Sequence, residues 1–249
     1  MAAGRLTRST LQPQRAPRCA PTALILPRAD GLRSALRVLL AARRSMDTRR
    51  TADRNALTAL LRTIDLGLDV RTALTNAQID TIAAWRDRTG DNVAVGVARS
   101  EARRLATAIR HRTVELDANQ AALSTYVDEL APGIRDLSGV GPFTAAIILT
   151  AYSHRGRVRS EAAFAAMAGV SPIPASSGHT SRHRLNRHDD RQLNRAIHII
   201  ARSRMMTDAT TKAYIERRTN EGKTRREIHR CRKRFIARSI YRSLAMLIT

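Results

Sequence analysis

Apolar residues recur every three to four positions along most of the chain, and strictly alternating apolar and polar runs are scarce. This pattern predicts a mainly α fold. Helical segments are predicted over residues 30–44, 48–67, 75–90, 93–130, 143–152, 160–174, 190–206, 208–221 and 223–248. Residues 22–27 are compatible with one strand, whereas the Arg- and Pro-rich residues 1–21 have no periodicity and are predicted to be disordered.

The longest predicted helix, over residues 93–130, carries a heptad stripe. Its members are Ile109, Leu116, Leu123 and Leu130, with Leu105 and Tyr126 at alternate seam positions and Arg112 and Asn119 as interruptions. Such a stripe predicts a coiled-coil-like arm that packs against another helix. The partner helix belongs either to another subunit, which would make the protein a homodimer or homotetramer, or to the same chain. The spacing is compatible with both.

The charge of the chain is strongly unbalanced. Its 249 residues include 44 Lys and Arg against 21 Asp and Glu, which gives a formal net charge of +23. From residue 150 onward there are 22 basic and 7 acidic residues. A chain this basic repels itself unless it meets a polyanion, so nucleic acid is the expected partner.

The cysteine content and the hydropathy restrict where the protein works. The sequence has two cysteines, Cys19 and Cys231, too few for a disulfide framework or a metal cluster, which favours a reducing compartment. No apolar run has the length of a membrane span, and no secretory apolar segment follows the N-terminus. We therefore expect a soluble cytoplasmic protein, associated with the nucleoid through nucleic acid and without a membrane partner.

Residues 137–146, with the sequence LSGVGPFTAA, have the pattern of a helix-hairpin-helix-like turn. Gly139 and Gly141 would let backbone amides approach a phosphate closely, and the N-terminal end of the following helix adds partial positive charge. The same glycines are also typical of a tight packing corner between two helices. The sequence leaves both interpretations open.

The segment 172–190, PIPASSGHTSRHRLNRHDD, is the main candidate for chemistry. It places Ser176, Ser177 and Gly178 directly before a run of Arg and His residues. A serine hydroxyl is a weak nucleophile at neutral pH and needs a nearby base, or cations that stabilise the charge on a phosphate under attack. The run supplies both residue types, but a serine–glycine pair is also typical of a solvated loop.

The last predicted helix, over residues 223–248, combines an apolar face with a crowd of arginines. Such a surface predicts phosphate-backbone binding that weakens as salt rises. The residues predicted to bind nucleic acid are Gly139, Gly141, Arg182, Arg184, Arg187, Arg191, Arg225, Arg226, Arg230, Lys233 and Arg234.

Three stretches in this order, LSGVGPFTAAIIL, FAAMAGVSPIPASSG and HRLNRHDDRQLNRAIHIIA, resemble the C-terminal half of the IS110 insertion-sequence transposases. The Piv and MooV DNA invertases are relatives of that family. The resemblance covers about residues 95–249 and is specific as an ordered set, although no single stretch is.

The resemblance implies a recombinase with two catalytic parts. An N-terminal RNase H-like domain of the RuvC type would bind Mg²⁺ through four acidic residues, and a C-terminal transposase domain would supply a serine that joins covalently to DNA. A structured guide RNA would pair with donor and target DNA, and a coiled-coil arm would mediate assembly. By position, Ser177 is the catalytic candidate and Ser176 the second candidate.

The N-terminal part departs from the family pattern. Ala52 and Asn55 stand where two aspartates of the family signature belong. Asp47 and Asp53 lie nearby, but two carboxylates do not replace a four-carboxylate metal cage. No metal ligand is therefore assigned, and we expect the Mg²⁺ site of the family to be missing or incomplete here; the sequence leaves open whether Asp47 or Asp53 replaces a missing carboxylate.

These observations predict four segments: a disordered stretch over 1–21, a truncated RuvC-like remnant over 22–92, the arm over 93–131 and a serine transposase domain over 132–249. We expect a DNA transposase or recombinase that binds transposon-end and target DNA and is inactive alone. The alternative is a non-catalytic helical protein that binds DNA or RNA.

Overall fold

The computed structural model describes residues 31–171 and 189–248, together with the backbone of two short strands between them. The predicted strand over 22–27, the predicted disordered segment and the expected helix start at Asp30 lie outside the described residues.

Helices dominate the described residues, so the fold class is mainly α, as the apolar spacing predicts. In chain order the elements are α1 (Gly31–Thr63), α2 (Asn76–Ala83), α3 (Val93–Leu130), a 3₁₀ turn (Ile134–Asp136), α4 (Pro142–Tyr152), α5 (Glu161–Met167), β1 (Ile173–Pro174), β2 (His183–Arg184), α6 (Arg191–Thr207), α7 (Ala209–Asn220) and α8 (Arg225–Leu247). The two strands pair antiparallel, with Ile173 opposite Arg184 and Pro174 opposite His183.

Local capping determines where most of these helices begin. Short polar side chains accept the backbone amides that have no partner in the first helical turn. The capping residues are Thr75, Asn92, Ser160, Asp190, Asp208 and Thr224. At α2 and α8 the bond is reciprocal, because Gln78 and Glu227 accept from the amides of Thr75 and Thr224.

The first helix corrects a prediction. The sequence predicts two helices, over 30–44 and 48–67, but α1 runs without a break from Gly31 to Thr63. Residues 45–47 contain neither glycine nor proline, and Thr51 Oγ1 donates to the Asp47 carbonyl oxygen 2.9 Å away. Packing along α3 therefore outweighs the weak local signal for a break.

The heptad stripe of α3 packs inside the chain. Ile109, Leu116 and Leu123 are buried, and α1 and α2 pack against this helix. Asn119, which interrupts the stripe, is also buried, and its Nδ2 donates to the Leu39 carbonyl oxygen of α1 at 3.1 Å. Of the two alternatives, the described contacts support packing within the chain. Assembly of a homo-oligomer through the arm stays a prediction.

A second packing centre joins α4, α5, α6 and α8. Tyr152 of α4, Phe164 of α5 and Tyr241 of α8 form an aromatic cluster whose ring centroids lie 5.9–6.5 Å apart. The Tyr241 hydroxyl also donates to the Val158 carbonyl oxygen at 3.0 Å. This aromatic cluster joins α5, the helix that precedes the predicted serine segment, to α4 and α8.

The described part of the predicted RuvC-like remnant, residues 31–92, consists of α1, α2 and their connections. The remnant and the domain boundaries stay predictions. Across the described residues, no helix combines the length and the apolar character needed to cross a bilayer.

Candidate nucleic-acid interface

The glycine turn before α4 is packed closely against α6. Gly139 has a φ of +75°, and a Cβ at this position would lie 3.1 Å from the Ile200 carbonyl oxygen and 3.2 Å from Arg204 Cγ. Arg204 Nε in turn donates to the Ser138 carbonyl oxygen at 2.6 Å. Both the backbone conformation and the close approach require glycine here, so the packing-corner interpretation accounts for Gly139.

The amide of Gly141 already has a partner inside the chain. Its N–H donates to Thr144 Oγ1 at 3.0 Å, and the same hydroxyl donates back to the Gly141 carbonyl oxygen at 3.0 Å. Thr144 is buried at the start of α4. A phosphate would have to displace this hydroxyl to reach the amide. Phosphate binding at the turn therefore stays a prediction, and it would require the loss of this internal hydrogen bond.

The basic face of α8 is formed as predicted. Arg225, Arg226, Arg230 and Arg234 are all exposed. The last three are four residues apart, so they lie on one side of the helix with a rise of about 6 Å between them. None of the four forms an ion pair with another described residue. This row presents positive charge to solvent, and contact with a phosphate backbone stays a prediction.

Lys233 differs from its arginine neighbours. Its Nζ donates to Asn194 Oδ1 of α6 at 2.7 Å, and the side chain is half-buried between the two helices. Burial lowers the pKa of this ammonium group, and the nearby Asp189 carboxylate opposes that shift. The described role of Lys233 is to join α8 to α6. Its contact with nucleic acid stays a prediction.

A polar network holds the end of the serine segment. Asn194 Nδ2 donates to the Ala168 carbonyl oxygen at 2.7 Å and to Asp189 Oδ2 at 3.3 Å. The amide of Asp190 donates to the Met167 carbonyl oxygen at 2.8 Å. The Asp190 carboxylate caps α6, directly before the exposed Arg191. Sequence reasoning missed this network, although an aspartate pair before a helix is a recognisable capping signal.

Ser176, Ser177, Arg182 and Arg187 lie outside the described residues, and so does the side chain of Arg184. Along the chain, the two serines belong to the connection between β1 and β2. Their predicted roles are therefore not tested by the geometry.

A histidine pair lies beside Lys233, between α6 and α8. His229 Nε2 is 2.9 Å from His198 Nδ1, so one nitrogen donates to the other. Burial is the main cause that lowers the pKa of both rings. Lys233 lowers both values further, as do Arg202 for His198 and His198 itself for His229. The pair is stable as two neutral rings that share one hydrogen bond, and full protonation would remove the acceptor.

Acidification is expected to destabilise the protein through this pair. The folded pKa of each ring lies below the ordinary value of 6.5, so the unfolded chain binds more protons. The contribution of the pair to folding stability is therefore fully present above pH 6.5 and is lost as the pH decreases below it. In the His198→Gln/His229→Gln variant, the fall in unfolding midpoint between about pH 7.5 and about pH 5 should shrink. His111→Gln, at a ring 69% exposed, should leave it unchanged. An equal fall in all three proteins would contradict this prediction.

The region that contains this site is similar to a known protein family. Residues 132–216 match the model of the Transposase IS116/IS110/IS902 family. This range contains the glycine turn, the serine segment and the capped start of α6.

A curated relative supports that similarity. The chain is 33% identical over 120 residues to the "Insertion element IS110 uncharacterized 43.6 kDa protein" of Streptomyces coelicolor. The match covers 47% of this chain and 29% of the relative, so the chain spans less than a third of that protein. Both similarities support a relationship to the IS110 family and hence to insertion-sequence transposases.

Proposed function

We propose that this chain acts in DNA transposition as part of an insertion-sequence transposase, with Ser177 as the nucleophile. The observation that carries the proposal is the family match over residues 132–216, which includes the serine pair in its expected order between α5 and α6. The net charge of +23 and the arginine row on α8 provide the attraction for DNA that such a reaction needs.

The proposed chemistry is transesterification. Ser177 Oγ attacks a phosphodiester, a bond forms between that oxygen and phosphorus, and the bond from phosphorus to one sugar oxygen breaks. The serine gives its proton to a base and the departing sugar oxygen takes up a proton, so a hydroxyl end and a phosphoserine link result. Guanidinium groups stabilise the additional negative charge on phosphorus in the transition state. Reversal onto a second strand joins DNA without an external energy source.

The described residues do not fit the Mg²⁺ site that the family resemblance implies. Asp47 forms an ion pair with Arg50 at 2.9 Å. Within the described part of the chain, no three His, Cys, Asp or Glu side chains are grouped so that they could hold a metal ion. We therefore assign no step to a metal. A guide RNA and a partner subunit that supplies carboxylates remain part of the proposal, on the resemblance alone.

Ser177→Ala is expected to abolish covalent attachment to DNA, by about a thousandfold or more, because the attacking oxygen is removed. The measurement is a denaturant-resistant adduct between the protein and a labelled nicked DNA. Because we expect the chain to be inactive alone, a full-length family transposase whose own serine is replaced by alanine is added in trans.

Ser176→Ala is the matched control and should keep the adduct. If only Ser176→Ala loses it, the second candidate is the nucleophile. If the unchanged chain forms no adduct in either condition but still binds DNA, the catalytic proposal fails and the non-catalytic binding protein replaces it. Strand exchange by the purified chain alone would refute the expected dependence on a partner.

A further inference from the structure

A cleft of about 540 Å³ lies between α1, α4 and the start of α6, and none of its lining residues belongs to α8. Most of its charged lining is basic. The arginines that line it are Arg37, Arg43, Arg44, Arg157 and Arg195, against the two aspartates Asp47 and Asp190. Three of the arginines come from α1, which lies outside the family match, so nothing in the comparisons assigns this cleft a role.

An aromatic ring positions two of the guanidinium groups. Phe143, at the start of α4, lines the cleft, and the guanidinium carbons of Arg43 and Arg195 lie 5.2 and 5.9 Å from its ring centroid. Cation–π contacts of this length are attractive and restrict the long side chains. Arg43 Nη1 also donates to the Leu116 carbonyl oxygen of α3 at 3.2 Å. Part of the basic lining is therefore fixed before any ligand arrives.

Described carboxylates offset the positive charge of the cleft only in part, since Asp47 and Asp190 face five arginines. Arg37, Arg44 and Arg195 form no ion pair with any described residue, and Arg44 and Arg195 are exposed. Asp47 is paired with Arg50, which reduces its effect on the cleft. Clustered like charges on a concave surface concentrate counter-ions and attract a polyanion.

We propose that this cleft binds the sugar–phosphate backbone of a single nucleic-acid strand. Its volume falls in the range of about 300–1,000 Å³ typical of clefts that enclose small ligands. That volume fits one or two nucleotides, whereas a duplex, whose major groove alone is about 12 Å wide, does not enter. A positively charged groove that follows the backbone is also the usual arrangement for single strands. The inference rests on described residues of α1, α4 and α6 and does not depend on the serine.

The test measures binding of the full chain to a fluorescein-labelled oligodeoxythymidylate by fluorescence anisotropy at several salt concentrations. Arg44→Gln/Arg195→Gln removes the two exposed charges and should weaken binding severalfold. The slope of log affinity against log salt should shrink by about 1.4, because each phosphate contact on a single strand contributes about 0.7. Asp47→Asn should act in the opposite direction and tighten binding.

Matched controls come from the connection between α2 and α3, where Arg86, Asp87 and Arg88 are exposed. Arg86→Gln/Arg88→Gln and Asp87→Asn change the net charge by the same amounts and should leave the affinity nearly unchanged. Equal effects at both places would show a response to net charge only and would overturn the proposal. Unchanged binding of both cleft variants would overturn it as well, provided thermal unfolding shows that they fold.

Two further probes define the ligand. Binding of an oligouridylate should respond to the cleft variants as binding of the DNA strand does, because backbone recognition does not read the base. If the cleft variants weaken RNA binding but not DNA binding, the cleft is an RNA site. A duplex should be insensitive to the cleft variants, and the reverse result would overturn the single-strand assignment. The serine adduct assay is independent, so failure of one proposal leaves the other standing.

Discussion

Gly169→Ala is expected to destabilise the protein by about 2–5 kcal/mol, from left-handed backbone strain and from overpacking. Gly169 ends the turn after α5 with a φ of +63°. A Cβ there would collide with Asp189 Oδ2 and would lie 2.7 Å from Asp189 Cβ. The second atom is fixed to the backbone, so rotation of the aspartate cannot relieve the contact. Urea denaturation measures the loss as a decrease in the free energy of unfolding.

Gly222→Ala separates the two causes of that loss. Gly222 has a φ of +78°, but no heavy atom lies within 4 Å of the added Cβ. This variant should therefore cost only the backbone strain, about 1–2 kcal/mol. Asp189→Gly removes the whole contacting side chain and should recover part of the loss when combined with Gly169→Ala. Equal losses at Gly169 and Gly222 would mean that the close approach of Asp189 does not limit stability.

The close approach of Gly169 to Asp189 also affects the candidate site. Asp189 lies at the end of the serine segment and accepts a hydrogen bond from Asn194 Nδ2, while Asn194 Oδ1 accepts one from Lys233. A bulkier residue at position 169 would push Asp189 away from this network. We therefore expect Gly169→Ala to impair any function of the serine segment even where the protein still folds.

Local signals predicted most elements of the fold. The helices from α3 onward begin near the predicted positions because their starts are determined by adjacent residues, such as the Asn92 and Thr224 caps. Prediction failed where distant contacts decide. α1 continues through residues 45–47 because α3 packs against it. α2 was predicted to continue to residue 90 but ends at Ala83. Trp85 lies beyond the helix end, and its ring centroid is 5.0 Å from the guanidinium carbon of Arg99 of α3.

The candidate site was predictable only in part for the same reason. The arginine row on α8 follows from helical spacing, which the sequence contains. The exposure of Phe235, a large apolar residue of the same helix, does not follow from that spacing. The cleft depends on Arg43, Phe143 and Arg195, which are far apart along the chain and meet only through tertiary packing. No periodicity marks such a meeting point.

Phe164→Ala is expected to cost about 3–5 kcal/mol of folding stability, the range for removing a buried phenyl ring. Phe164 is fully buried, and its ring lies 6.5 Å from Tyr152 and 5.9 Å from Tyr241. The substitution leaves a cavity and removes two aromatic contacts at once, each of about 0.5–1.5 kcal/mol. Few other residues can compensate, because aromatics make up 3% of the chain. Thermal and urea unfolding report the change.

Phe235→Ala is the matched control, because it removes the same ring from a position that is 56% exposed. Its ring contacts Tyr214 at 6.2 Å, so the expected loss is about 1 kcal/mol or less. The comparison also shows which helices depend on the buried ring. The aromatic cluster joins α4, α5 and α8, whereas the Phe235 ring contacts Tyr214 of α7. If the two variants lose similar stability, the aromatic cluster does not hold the C-terminal helices together. In that case other contacts must determine the positions of α4 and α8, on which both proposals depend.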